Sequence, residues 1–152
     1  MQGCVSVGLN VVSKKQLLQE MAEMAVSCGA CAPSTAKARD VVAAVMERER
    51  LGSTGVGYGV AIPHARIEGL TCVRAVFARL ESPIEYEAID DRPVDLVVLL
   101  LAPIDAGAEH LKALAKVSRL LRREDMRAKL RSAPSVESLH VLLTETRSAN
   151  AA

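Results

Sequence analysis

Three histidines, four cysteines and a run of alternate glycines are the residues of this sequence whose types could do chemistry. His64 directly follows Pro63 at the end of a short apolar segment. Because the unperturbed pKa of imidazole is about 6.5, a histidine near neutral pH is a good uncharged nucleophile. Proline fixes its own φ and ends strand pairing, so it can hold the next side chain at a sheet edge. Taken alone, His64 is compatible with a structural role or with nucleophilic chemistry.

Gly55, Gly57 and Gly59 precede His64 at alternate positions. The spacing is neither the dinucleotide-binding fingerprint nor a P-loop, because no Lys-Ser/Thr pair follows and the next segment is predicted to be a strand. Alternate glycines most often mark tight turns or bulges. The functional alternative is a backbone that a ligand can approach closely, with amide groups available for an anion.

The other two histidines are predicted to lie on helices. His110 shares a helical stripe with Leu114, Val117 and Leu121, at spacings of 4, 3 and 4, so it should be at least partly buried. The pattern leaves open whether it is a core residue or a functional one. His140 has no companion signal and is expected at the surface or its boundary. Three dispersed histidines without close Cys or Asp partners make a poor metal site, so no metal is predicted.

Cys28 and Cys31 have the C-x-x-C spacing of redox dithiols. A thioredoxin-type pair would precede its helix, where the helix dipole lowers the first thiol's pKa, whereas this pair follows a predicted helix. No second C-x-x-C completes a zinc site. The four cysteines are too few and too scattered for a disulfide scaffold, so we expect reduced thiols. A thiol-redox function remains an alternative, which would fail if replacing both residues by Ser left activity unchanged.

The bulk composition excludes several classes of protein. The chain has 19 basic against 18 acidic residues and only 2% aromatics. It therefore has neither the excess of positive charge nor the aromatic stacking surface that nucleic-acid binding needs. Its longest strictly apolar run, Leu96–Ala102, is far shorter than the roughly 20 residues of a membrane span. The first residues do not have the pattern of a signal peptide. We therefore expect a cytoplasmic protein with one domain over residues 1–152, without membrane insertion.

The elements that must position these residues alternate between helical and extended patterns. Ser13 and Gln16 form a capping box for a helix over Lys14–Ser27, and a second helix is predicted over about 36–50. Arg48, in the charge alternation at the end of that second helix, should lie on a solvated face unless the fold places it beside the histidine. Extended segments are predicted at Val60–Ile62 and Thr71–Leu80 and in the apolar run between Pro93 and Pro103, and further helices from Gly107, over Asp125–Arg131 and after Ser135. The order favours an α/β sandwich, with the apolar run buried on both faces.

The contiguous segment ERERLGSTGVGYGVAIPHAR resembles the enzyme IIA domains of the fructose/mannitol/nitrogen-regulatory family of the bacterial phosphotransferase system. A family pattern, L-x-S-T-G-x-G-x-G-x-A-x-P-H, leads to the phosphorylated histidine. All of the residues that this pattern specifies are present here: Leu51, Ser53, Thr54, Gly55, Gly57, Gly59, Ala61, Pro63 and His64. The segments SKKQLLQEMA, PIEYEAIDDRPVDLVVLLLAP and EHLKALAKVSRLL extend the resemblance over roughly residues 9–146.

The resemblance implies a mixed, mostly parallel central sheet flanked by helices on both faces. By matching position, His64 is similar to the phospho-accepting histidine, Arg48 to the active-site arginine and His110 to the second histidine. Thr54 would place a hydroxyl near the phosphate, and the glycines would let a second protein dock closely. No diffusible cofactor is implied. Tyr58 departs from the family, where a small polar residue such as Asn is common, and could alter the partner surface or reach the phosphate.

The implied function is that of a phosphocarrier. His64 would take a phosphoryl group from an HPr-like protein and pass it to an enzyme IIB during sugar uptake. The alternative is a stand-alone nitrogen-type regulator that binds target proteins according to the phosphorylation of His64, and the lack of a IIB or IIC segment in the sequence favours this alternative. Neighbouring genes for IIB and a membrane IIC would indicate transport, whereas a sigma-54-type regulatory cluster would indicate regulation.

Overall fold

A computed structural model describes the backbone of residues 4–151 and the side chains of residues 4–143, so the two ends of the predicted 1–152 domain lie outside it. Within that range the chain forms six strands and five helices. The strands are β1 (Val5–Leu9), β2 (Gly55–Gly57), β3 (Val60–Ala61), β4 (His64–Arg66), β5 (Arg74–Ile84) and β6 (Val94–Ala102). The helices are α1 (Lys14–Ser27), α2 (Ala38–Arg50), α3 (Gly107–Arg122), α4 (Glu124–Ser132) and α5 (Val136–Ala151).

The strands form one sheet in the order β1-β5-β6-β3-β2, with β4 also paired to β6. The β1–β5, β3–β6 and β4–β6 pairs are parallel, and the β5–β6 and β2–β3 pairs are antiparallel. β3 and β4 follow the same edge of β6, because Ala61 lies opposite Val97 and His64 lies opposite Leu100. The sheet is therefore mixed and mostly parallel, as the resemblance implied.

β6 is the centre of the core, because eight of its nine residues are buried. Its alternating side chains point to two apolar clusters, one with α1 and α2 and the other with α3, α4 and α5. Burial on both faces explains why its sequence is continuously apolar rather than alternating. The predicted sandwich is confirmed. The first cluster takes Val97, Leu99 and Leu101 of β6, and the second takes Leu96, Val98 and Leu100.

The observed elements refine the predicted ones. The first helix has the predicted bounds, and the Ser13 side chain accepts a hydrogen bond from the Gln16 amide at 3.1 Å. The second helix starts at Ala38 rather than near residue 36, because Lys37 is its N-cap and donates its amide to Asp40 at 2.8 Å. Three strands were missed: β1, which precedes the first helix and pairs along the outer edge of β5, and the two short strands β2 and β4.

The expectation of reduced thiols is wrong for two of the four cysteines. Cys4, directly before β1, forms a disulfide with Cys28, directly after α1. Cys31, the second member of the C-x-x-C pair, is a free, buried thiol, and Cys72 is also free. The C-x-x-C residues are therefore not bonded to each other. Burial raises the pKa of Cys31, which makes it a poorer nucleophile than an exposed thiol.

Among residues 4–151, none of the helices combines the length and the apolarity that crossing a membrane requires.

Candidate active site

His64 begins β4, at the point where the chain resumes its course along β6. Pro63 has no amide proton, but its carbonyl accepts a hydrogen bond from the Leu100 amide at 3.0 Å and so keeps the interrupted strand in register. The half-buried imidazole places its Nδ1 2.9 Å from the carbonyl oxygen of Ile62. Because a carbonyl can only accept, Nδ1 carries the proton and Nε2 carries the lone pair.

Arg48 lies beside that lone pair. It sits in the last turn of α2, and its Nε–H donates to Nε2 of His64 at 3.2 Å. One terminal nitrogen also donates to the Gly52 carbonyl at 2.9 Å, which fixes the guanidinium across the end of the helix. Its neighbours Glu47 and Arg50 are exposed and pair with each other at 3.1 Å. The charge run is therefore a solvated face only at Glu47 and Arg50. Arg48 turns toward the histidine, and the Glu49 side chain is buried.

His110 lies against the ring of His64. It is in the first turn of α3 and only 6% exposed, as its helical stripe predicted. The two imidazole rings meet edge to face, with their centroids 5.4 Å apart and their planes at 77°. Nε2 of His110 is buried and has no hydrogen-bond partner among the residues that the structure describes. Since nearly all buried polar atoms are paired, this nitrogen is suited to bind an incoming polar group.

Both imidazoles are held in the neutral form. Burial, the largest influence, and the nearby Arg48 charge lower the pKa of His64 below its usual 6.5, while the Ile62 carbonyl and the Glu49 charge oppose them. Burial and the charges of His64 and Arg66 lower the pKa of His110. At neutral pH His64 therefore presents an uncharged nucleophilic nitrogen next to a permanent cation.

Thr54 does not join these three residues. It is 4% exposed, and its hydroxyl contacts the carboxylate of Glu49 and, at 3.1 Å, the Tyr86 hydroxyl. Its amide also donates to Glu49 at 3.1 Å. These contacts favour a supporting role for Thr54 over direct contact with a phosphoryl group.

Glu49 and Tyr86 were missed by the sequence reasoning, although one signal was available for Glu49. Val41 and Val45 mark the buried stripe of α2, and Glu49 continues that stripe at the next spacing of four. A carboxylate at such a position is buried by the helix itself and needs partners. Tyr86 is fully buried in a segment without regular structure, so no periodicity could have indicated its place.

Tyr58 lies just before β3, whereas His64 begins β4 farther along the same edge of β6. The neighbouring Gly59 carbonyl accepts from the amide of Leu96, whereas His64 pairs with Leu100, so the two sites are about 13 Å apart along β6. The Tyr58 ring stacks on the guanidinium of Arg127 at 4.5 Å. Tyr58 therefore does not reach the site, and half of its surface stays exposed.

The arrangement suits chemistry on an anion. Nε2 of His64 has a directed lone pair, Arg48 supplies a charged fork of donors, and His110 offers an open buried nitrogen. Phosphoryl transfer needs these features, because it depends on positioning and charge stabilisation more than on covalent activation.

Comparisons with known proteins agree with this chemistry. A family model described as "Phosphoenolpyruvate-dependent sugar phosphotransferase system, EIIA 2" matches residues 2–146. A nitrogen regulatory protein of Bradyrhizobium diazoefficiens is 47% identical over 135 residues, which cover 89% of this chain and 85% of the relative. The fructose-specific EIIA component of Haloferax volcanii is 39% identical over 102 residues, which cover 67% of this chain and 66% of the relative.

A solved structure shows the same fold. The crystal structure of the nitrogen regulatory protein IIA-Ntr from Neisseria meningitidis is 34% identical, with a TM-score of 0.84 and 92% coverage of each chain. The family match spans almost the whole sequence, including the segment that leads to His64. The chain therefore belongs to the EIIA 2 family of the phosphoenolpyruvate-dependent sugar phosphotransferase system.

Proposed function

We propose that this protein carries a phosphoryl group on Nε2 of His64, taken from a phosphohistidine of an HPr-like protein and passed to a second protein. The observation that carries the proposal is the fixed tautomer of His64: the Ile62 carbonyl holds the proton on Nδ1, so the lone pair of Nε2 faces Arg48. A nucleophilic nitrogen beside a guanidinium is what an incoming phosphoryl group requires.

The transfer balances without a proton moving at His64. The lone pair of Nε2 forms the new N–P bond as the N–P bond of the donor breaks, and that electron pair returns to the donor's nitrogen. Nδ1–H keeps its hydrogen bond to Ile62 throughout, so the ring does not rotate. No metal or diffusible cofactor is part of this proposal.

Arg48 and His110 would hold the phosphoryl oxygens. The guanidinium leaves Nε2 when phosphorus arrives and turns its donors to the oxygens, with its Gly52 contact as the anchor. The buried Nε2 of His110 would gain the partner that it lacks among the described residues. Both contacts grow stronger as negative charge builds up beside His64.

The surface around the site suits a protein partner. Leu51 is 84% exposed just after the helix that carries Arg48, and Leu111 is 68% exposed next to His110. Ile104 is also exposed, and its backbone carbonyl accepts a hydrogen bond from the Arg66 side chain of β4. Exposed apolar side chains around a polar centre are typical of protein interfaces. An HPr-like donor and an enzyme IIB or a regulatory target would dock here in turn.

Two outcomes of phosphorylation follow from the family. Transfer to an enzyme IIB would serve sugar uptake. The second candidate is regulation, in which target proteins bind according to the phosphorylation state of His64. The relatives from Bradyrhizobium and Neisseria are named nitrogen regulatory proteins, and this observation favours regulation.

Intact-mass spectrometry tests the shared step. After incubation with enzyme I, an HPr-type carrier and phosphoenolpyruvate, the protein should gain one acid-labile phosphoryl group. His64→Ala should gain none, whereas His140→Ala should behave like the wild type, because His140 lies half-buried on α5 outside the site. Phosphorylation of His64→Ala would refute the assignment. Adding candidate IIB proteins, and separately capturing partners with each phosphorylation state, would distinguish the two outcomes.

A further inference from the structure

A buried carboxylate lies one residue beyond Arg48. The Glu49 side chain is only 4% exposed, yet its two oxygens are fully used. One accepts from the hydroxyls of Thr54 and, at 3.0 Å, Tyr86. The other accepts from the Thr54 amide at 3.1 Å and from the Lys14 ammonium at 2.9 Å. Burying a charge is expensive unless it is paired in this way, so a network this complete indicates a specific task.

The hydrogen bonds of Glu49 fix the loop Gly52–Thr54, and this loop in turn binds the Arg48 side chain. Glu49 binds the backbone and the side chain of Thr54, and the Ser53 hydroxyl donates to the Tyr86 carbonyl at 3.0 Å. The loop is thereby tied down directly after Gly52. The Gly52 carbonyl is the anchor of the Arg48 guanidinium, at 2.9 Å. A continuous path of contacts therefore runs from the Glu49 carboxylate to Nε2 of His64.

We propose that Glu49 is a positioning residue for phosphoryl transfer: its carboxylate fixes the loop Gly52–Thr54, and the Gly52 carbonyl in turn sets Arg48 against His64. The inference rests on the proposed function of His64. Glu49 does not touch the reacting atoms, so it acts through Arg48. Thr54, matched to the family pattern as a phosphate ligand, instead belongs to this support.

The electrostatics agree with this geometry. Burial works to raise the pKa of Glu49, but hydrogen bonds from Thr54 and Lys14 outweigh it and lower that pKa, so the carboxylate is ionised at neutral pH. Its charge raises the pKa of His64 and so opposes the effect of Arg48. Burial and the Glu49 charge raise the pKa of Tyr86, which stays a neutral donor.

A double-mutant cycle with Arg48 tests the proposal. Glu49→Ala should slow phosphoryl transfer from the HPr-type carrier by about 10- to 100-fold, because small misplacements of catalytic groups cost about this much. In the Arg48→Ala background, the same change should slow transfer no further, since its effect passes through Arg48. Additive slowing, or an unchanged rate in folded Glu49→Ala, would overturn the proposal. Glu47→Ala is the matched control, because Glu47 is an exposed carboxylate of the same helix that pairs with Arg50.

Two conservative variants keep the test decisive if Glu49→Ala does not fold. In Glu49→Gln the amide oxygen can still accept from Thr54 and Lys14, and its NH₂ can donate to the two hydroxyls. Its transfer rate should lie close to that of the wild type. Thr54→Val keeps the backbone contact and loses the hydroxyl, so it should slow transfer only when Arg48 is present. Equal slowing by Thr54→Val with and without Arg48 would count against the proposal.

Nuclear magnetic resonance of the unphosphorylated protein separates this inference from the proposed function. If wild-type protein accepts no phosphoryl group, the proposed function fails. The ¹⁵N signal of His64 Nε2 still reports its hydrogen bond from Arg48. Thr54→Val should shift that signal in the same direction as Arg48→Ala, and Glu47→Ala should not. An unshifted signal in Thr54→Val and Glu49→Ala would show that Glu49 does not position Arg48.

Discussion

Replacing Arg48 by Ala should slow phosphoryl transfer to His64 by about a hundredfold and leave the fold intact. Its Nε lies 3.2 Å from Nε2 of His64, so a phosphoryl group on that nitrogen would sit against the guanidinium. Unit charges 4 Å apart attract by roughly 4 kcal/mol at an effective dielectric constant of about 20. Arg48 is half-exposed, so solvent weakens this attraction. The loss of one preorganised donor typically slows a reaction by about 10²–10³, which agrees with a charge attraction that solvent has weakened.

The pH dependence of this defect provides a second measurement. The Arg48 charge helps to lower the pKa of His64, so its removal should raise that pKa. A larger fraction of His64 is then protonated below pH 7 and cannot attack phosphorus. The defect of Arg48→Ala should therefore be greater at about pH 6 than at about pH 8.

Rapid-quench kinetics with a radiolabelled phosphocarrier measures both effects. Varying the carrier concentration separates docking from the transfer step. Arg48→Lys should give an intermediate rate, because it keeps the charge and loses the planar fork that reaches both Gly52 and His64. A rate for Arg48→Ala within about threefold of the wild type at both pH values would refute the reasoning.

Three other outcomes are expected. Gly55→Ala should destabilise the protein by about 1–3 kcal/mol in urea unfolding, because a Cβ there would lie 2.8 Å from the backbone of Ala88. Stability should fall as pH drops below about 6.5, because His64 and His110 bind protons more readily in the unfolded chain than in the folded one, and denaturation of His110→Gln should show a flatter pH profile. Tyr58→Asn should leave the phosphorylation rate unchanged and alter stability by less than about 1 kcal/mol, because the lost stacking on Arg127 is offset by relief of a positive φ.

Much of the fold was predictable because its elements follow simple periodicities. The capped first helix and the continuous apolar strand are encoded locally, by Ser13 with Gln16 and by burial on both faces. β1 was missed although Val5, Val7 and Leu9 alternate as a strand requires. A short strand near a terminus becomes evident only through its partner, here β5, and pairing between distant segments is not visible in a single sequence.

The site, like the fold, was predictable only in part. His64 and Arg48 lie within one contiguous segment, so a family pattern finds both, and His110 lies on a recognisable helical stripe. The contacts among them depend on tertiary structure. Whether Arg48 faces solvent or His64 depends on where α2 ends relative to β4, which no local rule specifies. The disulfide between Cys4 and Cys28 was unpredictable for the same reason, since it joins the start of β1 to the end of α1.

The glycines that lead to His64 have a role besides the one expected. A lean backbone was expected to admit a docking protein, and the structure shows that side chains at Gly55 and Gly59 would also collide with this chain itself. A Cβ at Gly55 would meet Ala88 and, at 3.1 Å, the ring of Tyr86. One at Gly59 would meet Asp95 and the guanidinium of Arg131. Gly55 therefore lets the Tyr86 segment close over Thr54 and Glu49. The motif shapes the contacts that support Arg48 as well as the strand that carries His64. Substitution of its glycines should therefore be as harmful to the free protein as to the protein bound to a partner.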